Sequence, residues 1–272
     1  MKKLLLILMV MSLLTAFKSI DHKKYSTKRS KDTIDLVNAG KVWAALYQQR
    51  TAEYRALCFQ AYNIAQERIN AVVKKHAQKP LAVVTDIDET LLDNSPYDAA
   101  RAIQNKEFTS KTWKEWTAKA IADTVPGAPS FFKYAASKGV KVFYITNRDE
   151  DEEAATLKNL QRYHLPYADN AHLLLKDKIS SKESRRLLVL KKYNIVLLCG
   201  DNLSDFDALY DNKPTEQDRT SATEKLRKQF GSRYIVLPNP SYGDFEGAFF
   251  KFNYKLTPAQ KDSVIRSLIK TE

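Results

Sequence analysis

The chain has 272 residues, a mass of 31.1 kDa and a formal charge of +12, with 44% hydrophobic residues. That is enough to bury one sizeable domain with an accessory lobe. Only Cys58 and Cys199 are present, and no Cys/His spacing suggests zinc or c-type haem. His22, His76, His164 and His172 are scattered, and no basic-aromatic cluster accompanies the positive charge. No nucleic-acid partner is expected, and the charge suits small phosphate esters or anionic surfaces equally well.

In chain order, Lys2 and Lys3 precede an almost wholly apolar run over residues 4–14, so residues 1–17 read as a secretory signal peptide. The run is short for a membrane span. Residues 18–34, with Lys23, Lys24, Lys28 and Arg29, read as a basic linker, and residues 35–272 as the folded domain. Tyr54, Leu57, Cys58, Ala61, Ala65, Ile69 and Val72 recur at helical spacing, which predicts long amphipathic helices over residues 36–76. Pro80 ends that run. Strands are expected near 81–87, 140–146, 172–175, 195–200 and 234–237, with helices between them, such as 128–138 and 152–163. The alternation predicts an α/β fold, a parallel sheet with helices on both faces. Residues 94–124, with Trp113 and Trp116, show no strand pattern and are expected to form a helical insert over the site.

Four segments carry chemistry. Leu81-Ala82-Val83-Val84 runs into Asp86-Ile87-Asp88-Glu89-Thr90, and Ile195-Val196-Leu197-Leu198-Cys199-Gly200 runs into Asp201 and Asp205. Reactive groups of open α/β sheets sit at the carboxyl edge. Carboxylates gathered there need a cation, because an unpaired buried charge is costly. Hard oxygen ligands without Cys or His suit Mg²⁺. Gly200 is expected to let the backbone turn tightly beside them. Lys141-Val142-Phe143-Tyr144-Ile145 ends in Thr146, Asn147 and Arg148, where Thr146 and the N–H groups after it suit a phosphate oxygen, a role compatible with Thr146 as a plain helix N-cap. Lys182, in Ser180-Ser181-Lys182-Glu183, opens a further helix, and taken alone it suits a solvated surface lysine.

The order Asp-x-Asp, Thr-Asn, Lys, Gly-Asp-x-x-x-Asp resembles the haloacid dehalogenase superfamily. Asp86 to Tyr97 and Gly200 to Phe206 resemble the paired signatures of its class C acid phosphatases, the family that includes bacterial outer-membrane lipoprotein e, a 5′-nucleotidase. Leu237-Pro238-Asn239-Pro240-Ser241-Tyr242-Gly243 belongs to the same likeness. The resemblance implies a haloacid-dehalogenase-like Rossmannoid core with a smaller helical cap lobe, and a Mg²⁺-dependent phosphomonoesterase. In it Asp86 is the nucleophile, and Asp88 is the general acid and base, its pKa raised by an adjacent carboxylate. Asp86, the backbone carbonyl of Asp88 and Asp201 bind the metal, and Asp205 does so directly or through water. Thr146, Asn147 and Lys182 stabilise the phosphoryl oxygens, and Trp113 and Tyr242 sandwich a nucleobase. Nucleoside 5′-monophosphates are the implied substrates. A haem- or ligand-binding surface protein and a phosphotransferase stay open as alternatives. Phe17 stands where a lipoprotein would carry its lipidated Cys. An exported, periplasmic or secreted protein is therefore expected, with membrane association and oligomeric state open.

Overall fold

The structure, a computed structural model, describes residues 35–75 and 77–271. The expected signal peptide (1–17), the linker (18–34) and His76 lie outside the described residues. Helices α1 (Leu36–Arg50) and α2 (Ala52–Val72) come first. Strand β1 (Leu81–Thr85) is followed by β2 (Leu92–Asp93), α3 (Ser95–Ile103), α4 (Ser110–Thr117) and β3 (Asp123–Thr124). Then come α5 (Ala128–Ser137), β4 (Lys141–Ile145), α6 (Glu153–Arg162), β5 (Leu173–Leu174), α7 (Glu183–Lys192) and β6 (Asn194–Gly200). Helix α8 (Glu216–Leu226), strand β7 (Tyr234–Val236) and helices α9 (Asp244–Phe249) and α10 (Pro258–Leu268) complete the chain.

Strands β5-β4-β1-β6-β7 form a parallel sheet with β1 at its centre. Period-two alternation divides it into two apolar layers. Val83, Val142, Tyr144, Leu197 and Cys199 face a core built with Tyr54, Cys58, Tyr62, Ala65 and Ile69 of α2 and Phe131 and Phe132 of α5. Ala82, Val84, Phe143, Ile145 and Leu198 face Val189 of α7, Phe206 and Tyr234. A sheet buried on both faces explains why its strands read as continuous apolar runs. Both cysteines are buried and free. Among the described residues no helix is long and apolar enough to cross a membrane.

The expected helices over 36–76 are two, meeting at Thr51, whose hydroxyl accepts the Tyr54 N–H and caps α2. Two local readings differ from the sequence expectation. In α2 Tyr62 is buried, whereas Leu57 is 43% exposed. The insert is helical, but its base is a two-stranded antiparallel ribbon, with Leu92 opposite Thr124 and Asp93 opposite Asp123. Two-residue strands are too short to show a period.

Helix α2 also reaches the site. The Tyr62 hydroxyl donates to the Thr90 carbonyl at 2.5 Å, in a fully buried contact. Tyr62→Phe leaves that carbonyl unpaired. The expected cost is about 1–3 kcal/mol, read as a lower denaturation midpoint at unchanged m-value.

Candidate active site

Strand β1 ends at Thr85, and Asp86 extends its ladder by donating its N–H to the Cys199 carbonyl at 2.9 Å. Asp201 follows β6 directly, and Asp205 lies in the one-turn helix Leu203–Asp205. Carboxylate oxygens of Asp86, Asp201 and Asp205 lie within 4.8 Å of one another. Lys182 stands at the N-cap position of α7 and is 5% exposed, so the surface-lysine alternative does not hold. Its ammonium is ion-paired with Asp86, and with Asp205 Oδ1 at 2.6 Å. Burial works against the Lys182 charge, but Asp205 and Asp86 outweigh it and raise its pKa. Burial also raises the Asp86 carboxyl against the pull of Lys182, with Asp205 and Asp201 adding to the rise.

Each carboxylate has its own support. Thr90 Oγ1 donates to Asp201 Oδ1 at 3.1 Å, and Asn239 Nδ2 donates to its Oδ2 at 2.8 Å. Asp205 Oδ2 accepts the Asn202 N–H at 3.0 Å. Gly200 matters here for space rather than for a tight turn. A Cβ on it would come within 2.6 Å of Asp205 Cβ. Behind the carboxylates, α7 presents two buried arginines. Arg185 donates to the Thr146 carbonyl at 2.5 Å and to Asn147 Oδ1 at 2.8 Å. Arg186 donates to the Ser204 and Asp205 carbonyls at 3.1 and 2.7 Å. Residues 182, 185 and 186 share one helix face by their i, i+3, i+4 spacing.

The resemblance implies an adjacent carboxylate for Asp88; the backbone leaves the strand after Thr85, and the hydrogen-bond partners of the Asp88 carboxylate are a cation and an amide. Arg148 Nη2 donates to Asp88 Oδ1 at 2.7 Å and Nε reaches Oδ2 at 3.1 Å, while Asn94 Nδ2 donates to Oδ1 at 2.8 Å. Asp88 is not among the three carboxylates that converge within 4.8 Å of one another, although its charge adds to the rise of Asp86. Glu89, next in sequence, is fully buried at φ +56°, a left-handed conformation that few non-glycine residues adopt. Its carboxyl accepts the Asn94 N–H at 2.7 Å and the Tyr242 hydroxyl. Burial, then Asp98 and Asp88, push it well above the usual carboxylate range.

Thr146 is buried, and its hydroxyl accepts the Arg148 N–H at 3.1 Å. The N-cap that follows is Asp149, paired in a capping box with Glu152, so the helix starts at Glu150 and not beside Thr146. Asn147 is exposed at the surface. Trp113, on α4, packs edge-on to Tyr97 at 5.3 Å and lies over the Arg148 guanidinium at 5.8 Å. Trp116 serves packing, with its indole N–H donating to Asn94 Oδ1 at 2.8 Å. Trp113 and Tyr242 are therefore joined through one network: Trp113, Arg148, Asp88, Asn94, Glu89 and Tyr242. Glu89, Asn94, Arg148, Asn239 and Arg185 were given no individual role from sequence. The Asp-x-Asp-Glu run held one signal, since a Glu inside a buried turn must find donors.

A parallel sheet with this carboxylate centre at its carboxyl edge defines the protein's class, a haloacid-dehalogenase-type α/β protein. The profile described as HAD superfamily, subfamily IIIB (Acid phosphatase), matches residues 13–245, and the chain belongs to that family. It is similar to the class C acid phosphatase of Bacillus anthracis, solved alone and with tungstate bound. Identity is 40% over 88% of this chain and 100% of that one, with a TM-score of 0.83. Among curated proteins it is 31% identical over 131 residues to the stem 28 kDa glycoprotein of Glycine max, covering 45% of this chain and 51% of that protein. It is 25% identical over 167 residues to acid phosphatase 1 of Solanum lycopersicum, covering 58% of this chain and 57% of that one. The chain thus spans about half the length of the curated relatives it matches.

Burial first, and Asp205 second, push the Asp201 carboxyl up to about 7. A carboxyl with a folded-state pKa above its unfolded value binds its proton more tightly when folded. Stability is then greatest below the unfolded pKa and falls as pH rises toward the folded one. Asp201→Asn removes that dependence. In chelator, the variant is expected to melt higher than the parent at about pH 8, with the gap closing toward about pH 4. Thermal unfolding across that range checks it.

Proposed function

We propose that this protein is a Mg²⁺-dependent phosphomonoesterase, an acid phosphatase acting on nucleoside 5′-monophosphates through an aspartyl-phosphate. The observation that carries the reading is the buried Lys182, held between Asp86 and Asp205 beside Asp201. The donor set fits a hard divalent cation. Three carboxylates share one point with no His or Cys, and their charge exceeds what one lysine neutralises. Asp86, Asp201 and the backbone carbonyl of Asp88 would hold it, with Asp205 adjoining. When bound, the ion would offset the repulsion between a carboxylate nucleophile and a phosphate dianion.

The chain's own residues then account for the rest. An Asp86 oxygen attacks phosphorus in line with the leaving oxygen, whose bond to phosphorus breaks. Asp88, fixed by Arg148 and Asn94, gives its proton to the departing alkoxide. It takes a proton from the water that next attacks phosphorus, which frees Asp86 and phosphate. Lys182 and the Thr146–Asn147 segment stabilise the equatorial oxygens as their charge builds. Trp113 supports the nucleotide assignment. It stands on the cap helix, over the arginine that holds Asp88, where the leaving group departs. Tyr242, anchored on Glu89, supplies the second ring.

Export belongs to the same proposal, on the Lys2–Lys3 start and the apolar run 4–14. N-terminal sequencing of the mature protein from its host tests it, with a chain that begins at Met1 and stays in the cytoplasm as the contrary result.

A panel of nucleoside 5′-monophosphates, aryl phosphates and sugar phosphates, assayed for phosphate release, tests the reading. EDTA is expected to stop turnover and Mg²⁺ to restore it, so full activity after exhaustive chelation would refute the metal. Asp86→Asn should lower kcat at least about 10³-fold with the melting temperature retained, because an amide oxygen is a far poorer nucleophile.

Trp113→Ala separates base stacking from packing. Loss of one stacked base is worth about 1–3 kcal/mol, read as a lower kcat/KM for adenosine 5′-monophosphate. Glycerol phosphate, which has no ring, should lose much less, and equal losses on both would make Trp113 a packing residue.

A further inference from the structure

Helix α4 presents Trp113, Lys114 and Thr117 within one turn, toward the segment 148–152. Lys114 Nζ lies 3.0 Å from Asp149 Oδ2 and 2.8 Å from Asp151 Oδ2. Lys176 Nζ meets the other oxygen of Asp149 at 2.6 Å. One turn on, Thr117 Oγ1 donates to Glu152 Oε1 at 2.8 Å in a buried contact. Asp149, Asp151 and Glu152 are close enough to resemble a cation site, but lysines occupy two of the three, so the cluster is an ion-pair bridge. Trp113 precedes Lys114 and Arg148 precedes Asp149. The bridge therefore joins the very backbone that carries the Trp113–Arg148 contact.

An eight-residue helix has little stability of its own, and its orientation comes from tertiary contacts. Thr117 pins its carboxyl end. Trp113 and Lys114 lie toward the middle, where the Lys114 bridge is the charged contact with the core segment.

We propose that Lys114 is a positioning residue that determines specificity: by bridging Asp149 and Asp151 it sets the tilt of α4 and so holds the Trp113 ring at the height a nucleobase requires. This rests on the nucleotide reading above. Lys114 touches neither the carboxylate centre nor the phosphoryl group, so its loss should act on substrates with a base and not on the chemical step.

Lys114→Met, Lys114→Arg and Trp113→Ala are compared on adenosine 5′-monophosphate and on glycerol phosphate, with kcat and KM measured separately in Mg²⁺. Lys114→Met is expected to raise KM for the nucleotide about three- to five-fold, the range of a partly exposed ion pair. Its kcat, and both constants for glycerol phosphate, should stay at the parental values. Lys114→Arg should restore most of the nucleotide KM. High NaCl should lower the parent's preference for the nucleotide over glycerol phosphate and leave that of Lys114→Met unchanged, because screening removes only what the variant already lacks. If Trp113→Ala is selective for the nucleotide while Lys114→Met is silent or weakens both substrates equally, the positioning inference is overturned and the nucleotide reading stands. If Trp113→Ala is itself unselective, both fall together.

Discussion

A single buried ammonium holds the centre of this protein together. Lys182 stands where two strand ends and a one-turn helix deliver three carboxylates to one point, and it pairs with two of them. Without it, Asp86 and Asp205 would face each other as unpaired charges out of water, an arrangement that costs several kcal/mol per ion. Helix α7 therefore does more than cover one face of the sheet. Lys182, Arg185 and Arg186 project from its first turn, one toward the carboxylates and two toward the backbone of the loops that carry Thr146 and Asp205. The helix that packs on the second apolar layer also ties down the two loops that border the carboxylates.

The same logic of opposed charge governs the other half of the site. Arg148 ion-pairs with Asp88, and the Trp113 ring covers its guanidinium. Asn94 touches Asp88, Glu89 and Trp116 at once, so the floor of the insert and the acid that follows β1 share one amide. The acidic turn after β1 and the aromatic residues of the insert are thus mechanically joined, although they come from separate stretches of chain.

How much of this was legible in the sequence follows from the reach of each signal. Strand positions and the sheet's two-sided burial were readable, because Leu81-Ala82-Val83-Val84 and Ile195 to Cys199 are apolar without alternation. The approach of Asp86 to Asp201 followed from strand ends sharing an edge. The partner of Asp88 did not, because Arg148 is 60 residues away in sequence and reaches it only through the path of the loop after β4. The boundary between the two N-terminal helices carried a local signal, a threonine three residues ahead of the N–H it caps. Gly200 was legible as a required glycine but not for the right reason. Its constraint is the volume of Asp205 and not a backbone angle.

The short ribbon beneath the insert has an evolutionary corollary. Because Leu92 and Asp93 lie directly opposite Thr124 and Asp123, the chain departs from the core and returns to it at the same place. Everything between is an excursion whose closure is already complete at its root. Lengthening such an excursion costs only about 0.6 kcal/mol for each doubling of its length. Descendants of this scaffold can therefore lengthen the lobe at small cost while its root, and the sheet beneath it, are inherited unaltered.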